Sequence, residues 1–356
     1  MSWLAWRQYR KQFMVAGIFL VLFAAITIPT GLHFWHTYQQ ALSTCKNTDT
    51  CNQLSNELFQ SRLDGLLFNF IPLVVLLLPL LLGLFVGVPF LAREYSDGTN
   101  KLVWTQGISR RKWLTVKLIW VLFGTTILAA AFTALDTWWF KTGNTLSQNR
   151  FSSSFSFQGI VPIAYSIFAV SLGIMFGAWF RRTMVALGVT LFLLIAILLV
   201  AVPNFVRPYY ETPASYKESL VGTAIPVMGQ PSSNSPLDNA LRIKGTIVSS
   251  SGQPLDWANP PSQCIRTAPA GFVGGGVGVH EQAVPAPGSK QEALSSQNGG
   301  PVVSLNCLNS LGYKMDIRYQ PAYRYWDFQR IETGLYLVLS AIPLAGTYWL
   351  ILRRDA

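Results

Sequence analysis

Six apolar runs divide the chain, at approximately 13–35, 66–90, 113–135, 159–180, 184–203 and 331–352. Each reaches or nearly reaches the roughly 20 residues that a helix needs to cross a hydrocarbon core. The pattern predicts six transmembrane helices, and an even number returns both termini to one side. The first run is too long for a signal-peptide core, and no small-x-small cleavage site follows it before Trp35, so it reads as a retained helix. The preceding stretch SWLAWRQYRKQF interleaves Trp3, Trp6 and Tyr9 with Arg7, Arg10 and Lys11, the pattern of a short helix lying in the interface.

The connections between runs reach about 30 residues at most, except for one. From Asn204 to Phe328 the chain runs for 125 residues, rich in Gly, Pro and Ser between about 222 and 303. Within it LRIKGTIVSSSGQ alternates like a strand and a turn, and YKMDIRYQPAYRYWDFQ alternates again before turning aromatic ahead of the last span. The expected architecture is an all-α polytopic membrane protein with an N-terminal interfacial helix. A small, loop-rich extracytoplasmic domain lies between helices five and six. The divisions are 1–203 for helices one to five with a polar loop at 91–112, 204–328 for the extracytoplasmic domain, and 329–356 for helix six and its tail.

Composition agrees: 12% of residues are charged and 51% are apolar, against about a quarter charged in soluble domains. Charge supplies the orientation. With the N-terminus inside, the inner pieces hold 13 cations against Glu94, Asp97 and Asp355, a net of +10 out of the formal +11. This is the positive-inside bias, and it accounts for the basic pI without nucleic acid. The four cysteines support the same topology. Cys45 and Cys51 follow span one, and Cys264 and Cys307 precede span six, all on the expected outer side. An even count on an oxidising face predicts disulfides, with Cys45–Cys51 and Cys264–Cys307 the simplest of three connectivities. His33, His36 and His280 lie at no ligand spacing with these thiols, so no metal site is expected.

Span two contains Pro72, Pro79, Gly83, Gly87 and Pro89. Proline frees a carbonyl that must find a partner inside the bundle. Gly83-x-x-x-Gly87 and Gly173-x-x-x-Gly177 would let helices approach closely. Ionisable residues lie near the span ends: Lys117 at the inner end of span three, Asp136 past its outer end, and Glu332 at the outer start of span six. A proton- or sodium-coupled carrier normally needs such groups along the path, so an apolar or amphipathic cargo is favoured. No Gly-x-x-x-x-Gly-Lys-Ser/Thr loop cradles ATP and no Gly-x-Ser-x-Gly elbow marks a hydrolase. The chain is expected to be no enzyme, and to bind no cofactor itself.

One polar loop exceeds what topology demands. In REYSDGTNKLVWTQGISRRKW, Arg110, Arg111 and Lys112 mark the inner boundary, with Ser109 placed to cap the next helix and Trp113 as an interface anchor. Glu94 and Asp97 lie one helical turn apart, Gly98 breaks the turn, and Lys101 to Trp104 begin a short amphipathic helix that could fill a groove on a soluble subunit. AREYSDGTNKLVWTQGISRRKWLTVKL resembles the first cytoplasmic loop of permease subunits of ABC-2 type ABC transporters. The shared positions are Glu94, Gly98, Thr99, Trp104, Thr105, Gln106, Ser109, Arg110, Arg111 and Trp113. YQPAYRYWDFQRIETGLYLVLS is similar to the start of the last span in an actinobacterial-type branch, through Tyr319-Gln320-Pro321, Trp326, Phe328-Gln329 and Glu332.

The resemblance implies a six-span permease working as a homodimer or heterodimer with two copies of a separate ATPase, which binds ATP and Mg. Its coupling contacts would be Glu94, Asp97, Gly98, Thr99, Leu102, Trp104, Thr105, Gln106 and Arg110. ATP-driven closure would push this loop and open a path along spans two and five to export a drug, antibiotic, lipid or peptide across the plasma membrane. The 125-residue insert departs from the short re-entrant helices usual in that family. The competing expectation is a membrane-anchored receptor or assembly subunit whose extracytoplasmic domain binds a ligand without transport.

Overall fold

In a computed structural model of the protein, residues 2–44, 62–96, 109–147, 151, 155–210, 214–219, 240–256, 259–267, 283–285 and 301–353 are described. Among them, six helices are long and apolar enough to cross a membrane. Span one is α1 (Ser2–Thr44). Span two is α2 (Arg62–Leu82), a π-helical segment (Gly83–Gly87) and α3 (Val88–Ser96). Span three is α4 (Arg110–Ser147) and span four is α5 (Val161–Phe180). Span five is α6 (Thr183–Ile195), continued by a π-helical segment (Ala196–Val206) and α7 (Arg207–Tyr210). Span six is α9 (Tyr325–Arg353).

The helices outrun their apolar cores. Residues 2–12 continue α1 without a break, so the amphipathic N-terminal stretch is not a separate helix. Span three extends past 135 to Ser147, which puts Asp136 inside a helix, where its residue is fully buried. Span six begins at Tyr325 instead of 331, so Glu332 lies two turns in. Apolar-run counting stops at the first polar residue. The backbone ladder does not, because its hydrogen bonds continue wherever side chains can be packed or paired.

Span four is the most buried of the six, and span two lies against it with almost nothing between the backbones. A Cβ on Gly83 would come within 2.9 Å of the Ala169 carbonyl oxygen, and one on Gly87 within 2.7 Å of that of Val170. Reciprocally, Cβ atoms on Gly173 and Gly177 would collide with the carbonyl oxygens of Gly83 and Val88. The two GxxxG motifs therefore face each other. The π turn accompanies this contact: the Val88 N–H donates to the Gly83 oxygen five residues back, and Pro89 follows with no N–H to offer.

Spans one and three pack through aromatic rings. Phe23 meets Phe132 at 5.3 Å between centroids, Phe34 stacks on Trp139 at 6.4 Å, and the Trp139 indole N–H donates to Thr30 Oγ1 at 3.1 Å. Span four ends on Arg181 in the left-handed conformation, φ 54°, with its N–H donating to the Gly177 oxygen at 3.2 Å. Glycine normally takes that position.

The remaining described residues of Pro213–Ala322 form a unit of their own. Strands β1 (Ala214–Ser219) and β2 (Leu241–Val248) flank β6 (Lys314–Gln320) in one antiparallel sheet. The second sheet has the order β3 (Ile265–Thr267), β5 (Pro301–Ser304), β4 (Ala283–Pro285). Each alternating stretch in the sequence begins as a strand, β2 and β6, and the second passes into the helix of span six from Tyr325. A short α8 (Leu305–Ser310) carries Cys307 to Cys264, and the expected disulfide is present with Cα atoms 5.4 Å apart. Leu255, Cys264, Val303 and Leu308 bury around it. Cys45 and Cys51 lie outside the described residues.

Gly173→Ala should destabilise the bundle by about 1–3 kcal/mol, since the new methyl meets only backbone. Gly188→Ala, with nothing within 4 Å of its Cβ, should instead raise the melting temperature slightly; thermal unfolding in detergent reads both. Cys264→Ser with Cys307→Ser opens a loop of 43 residues and should cost unit 213–322 about 4 kcal/mol, seen as faster limited proteolysis confined to that unit.

Candidate functional site

The loop 97–108 lies outside the described residues, and with it Asp97, Gly98, Thr99, Leu102, Trp104, Thr105 and Gln106. Its two bases are described and are joined to each other. At the end of α3, Glu94 turns into the bundle instead of toward solvent, and its Oε1 pairs with Lys117 Nζ of span three. The two side chains are 11% and 5% exposed. The Lys117 ammonium also lies 4.6 Å from the centroid of Trp113, one turn earlier. Charges so buried interact strongly but lose much hydration, so neither partner can be removed without leaving the other stranded. Arg110 is the first residue of α4, and the Ser109 carbonyl accepts the Trp113 N–H at 3.1 Å.

The neighbouring turn joins the same cluster. The Arg181 guanidinium lies 4.7 Å from the centroid of Tyr95, so the span-four cap reaches the residue beside Glu94. Thr115 Oγ1 and the Tyr348 hydroxyl are 2.7 Å apart, which brings in the end of span six. Four spans thus meet polar group to polar group around the roots of the loop. Of the prolines in span two, Pro72 is half-buried and Pro79 is buried.

The opposite end of the bundle carries a second polar cluster. The Gln329 amide of span six reaches the N-terminus of span four: its Oε1 accepts the Ile160 and Val161 N–H groups at 2.9 and 3.2 Å, and its Nε2 donates to the carbonyls of Phe155 and Gln158 at 3.1 and 3.0 Å. One amide thereby does the work of an N-cap, which Ile160 cannot do itself. Gly159, at φ 79°, leaves room for it. One turn on, Glu332 Oε1 receives Arg207 Nε at 2.8 Å, and its Oε2 receives the Tyr165 hydroxyl at 2.8 Å. Tyr336 packs on Tyr165 at 4.5 Å.

Of the residues singled out in the sequence, the structure brings together Gly83, Gly87, Gly173 and Gly177, and it brings Gln329 and Glu332 onto span four. Reading the sequence missed the partners, Lys117 for Glu94 and Arg207, Tyr165 and Tyr336 for Glu332. A signal existed, because each of the two acids stands at the edge of an uncharged run and needs a cation. No spacing rule says which one.

A family model described as ABC-2 membrane transporter related matches residues 17–207, just over half of the chain. The match takes in most of span one, spans two to four, span five as far as Arg207, and the whole of loop 97–108. Comparisons with curated proteins and with solved structures give no match.

Lys117→Met should strand the Glu94 carboxylate and destabilise the bundle by about 3–5 kcal/mol, whereas the double variant Glu94→Gln with Lys117→Met should recover most of that loss. Melting temperatures of the two single variants and the double one check the cycle.

Proposed function

This chain belongs to the ABC-2 membrane transporter related family, and from that premise we propose that it is the permease subunit of an ATP-driven exporter for a hydrophobic or amphipathic compound. It is a multi-pass membrane protein. In this reading its termini are cytoplasmic, a separate ATPase binds ATP and Mg, and loop 97–108 is the part that ATPase pushes. A second permease copy, identical or not, completes the pathway among the lipids.

The observation that carries the reading is the anchoring of the loop. A push on a loop does work only if its roots are stiff. Glu94 and Lys117 pin spans two and three together at their ends, and Arg181 on Tyr95 extends the hold to the turn between spans four and five. From there, movement of span two reaches span four through the interlocked glycines, since packed backbones cannot compress. Aliphatic and aromatic residues dominate the bundle core, and Lys117 and Glu332 are committed to partners, which suits an apolar cargo better than an ion.

The coupling role falls to residues of the loop itself. Glu94 is committed to the bundle, so its removal would not separate coupling from folding. Trp104→Ala and Leu102→Ala should leave expression and copurification of the ATPase unchanged while lowering ATP-dependent export, followed with a fluorescent lipophilic cation in inverted vesicles, by at least tenfold. Unaltered export in both variants removes the loop from the mechanism.

A further inference from the structure

Arg207 and Glu332 are not used by the coupling reading, yet they are the best-organised charges in the bundle. Glu332 is a fully buried acid in span six, held by Arg207 through Nε and Nη2, both 2.8 Å from Oε1, and by Tyr165 through Oε2. Arg207 also donates from Nη2 to Ser156 Oγ at 3.2 Å, and its guanidinium lies 5.6 Å from the centroid of Phe155. One carboxylate therefore ties together spans four, five and six and the turn that precedes span four. We propose that the Arg207–Glu332 pair is a releasable latch that positions span five against spans four and six, and that it opens when a π turn of 196–206 relaxes to α-helix.

Three observations converge on release rather than permanent bracing. First, a buried ion pair contributes little that a well-packed apolar pair would not, so its best-attested value lies in specifying one arrangement over another. Second, the burial is one-sided: Glu332 has no exposure but the Arg207 side chain keeps 22%. The guanidinium can swing out to water, while the carboxylate stays behind on Tyr165. Third, Arg207 is carried on eleven π-helical residues, and its own N–H donates to the Val202 oxygen five residues back. π-helix is rare, appears mostly as single turns and is frequent at functional sites, and eleven residues exceed one such turn. Removing one residue of register from a helix rotates everything beyond it by about 100°, enough to carry Arg207 off the face that meets Glu332. Pro203 sits within the segment and has no N–H to lose in either pattern.

The existence of the pair is independent of transport, whereas the moment of its release rests on the permease reading. Hydrogen–deuterium exchange of the full-length protein in lipid nanodiscs tests the two separately. Arg207→Met and Glu332→Gln should each speed exchange of the backbone amides of residues 196–210 by at least tenfold, with residues 166–178 and 340–350 within twofold of the wild type. Arg207→Lys, which keeps the charge, should stay within threefold everywhere. With the copurifying ATPase present, ATP and orthovanadate should speed the same amides in the wild type but not in the apolar double variant Arg207→Met with Glu332→Met, whose pair has nothing to release. Unchanged exchange at 196–210 in both single variants overturns the latch, as does an increase spread evenly over all six spans. If the single variants respond as expected but no ATPase copurifies, the latch stands and the transport reading falls.

Discussion

The approach of spans two and four at their glycines is the constraint on which the rest of the bundle depends. Helices in lipid gain no hydrophobic energy by meeting, so close packing has to come from shape. Four glycines remove the side chains that would hold the two backbones apart, and the π turn at 83–87 adjusts the helix to that surface. Because the Gly83 carbonyl both receives the Val88 N–H and lies where a Gly173 side chain would go, the irregular turn and the close contact require one another. Span four, hemmed in on this side, becomes the buried axis against which spans two, three, five and six pack, while span one packs on span three.

That axis is fixed at each end by polar groups instead of apolar ones. Glutamine and glutamate from span six hold its beginning, and a left-handed arginine resting on a tyrosine of span two closes its end. Polar groups in the bundle must be satisfied internally, so they specify partners in a way that leucines cannot. The glycines determine how close the helices come, and the terminal clusters determine which helix stands where.

Much of this was legible in the sequence. Six apolar runs, two GxxxG motifs and two alternating strands each follow from a short-range pattern, and short-range patterns survive translation into structure; the Cys264–Cys307 pairing was one of three connectivities that four cysteines allow, and the fold selects it. The pairings of Glu94 with Lys117 and of Glu332 with Arg207 were not legible. They join residues 23 and 125 positions apart, and nothing in an apolar run records which neighbour it packs against. The π-helical segments were hidden for a related reason: proline and glycine in span two signalled irregularity, but its form depends on the helix opposite. Arg181 at positive φ was invisible too, since only the geometry of the turn obliges a non-glycine residue to adopt that conformation.

The same turn has a consequence for movement. Only Arg181 and Arg182 separate the helices of spans four and five, and two residues provide no slack. Span five is held to its neighbour at that end, so when it tilts it does so like a lever about a fixed fulcrum. At about 1.5 Å per residue the 24 residues from Thr183 to Val206 make an arm of roughly 36 Å. A tilt of about 10° would then shift the far tip by about 6 Å while leaving the fulcrum in place. Displacement in this helix is amplified with distance from residue 182, and the polar cluster at Glu332 stands where the amplitude is greatest.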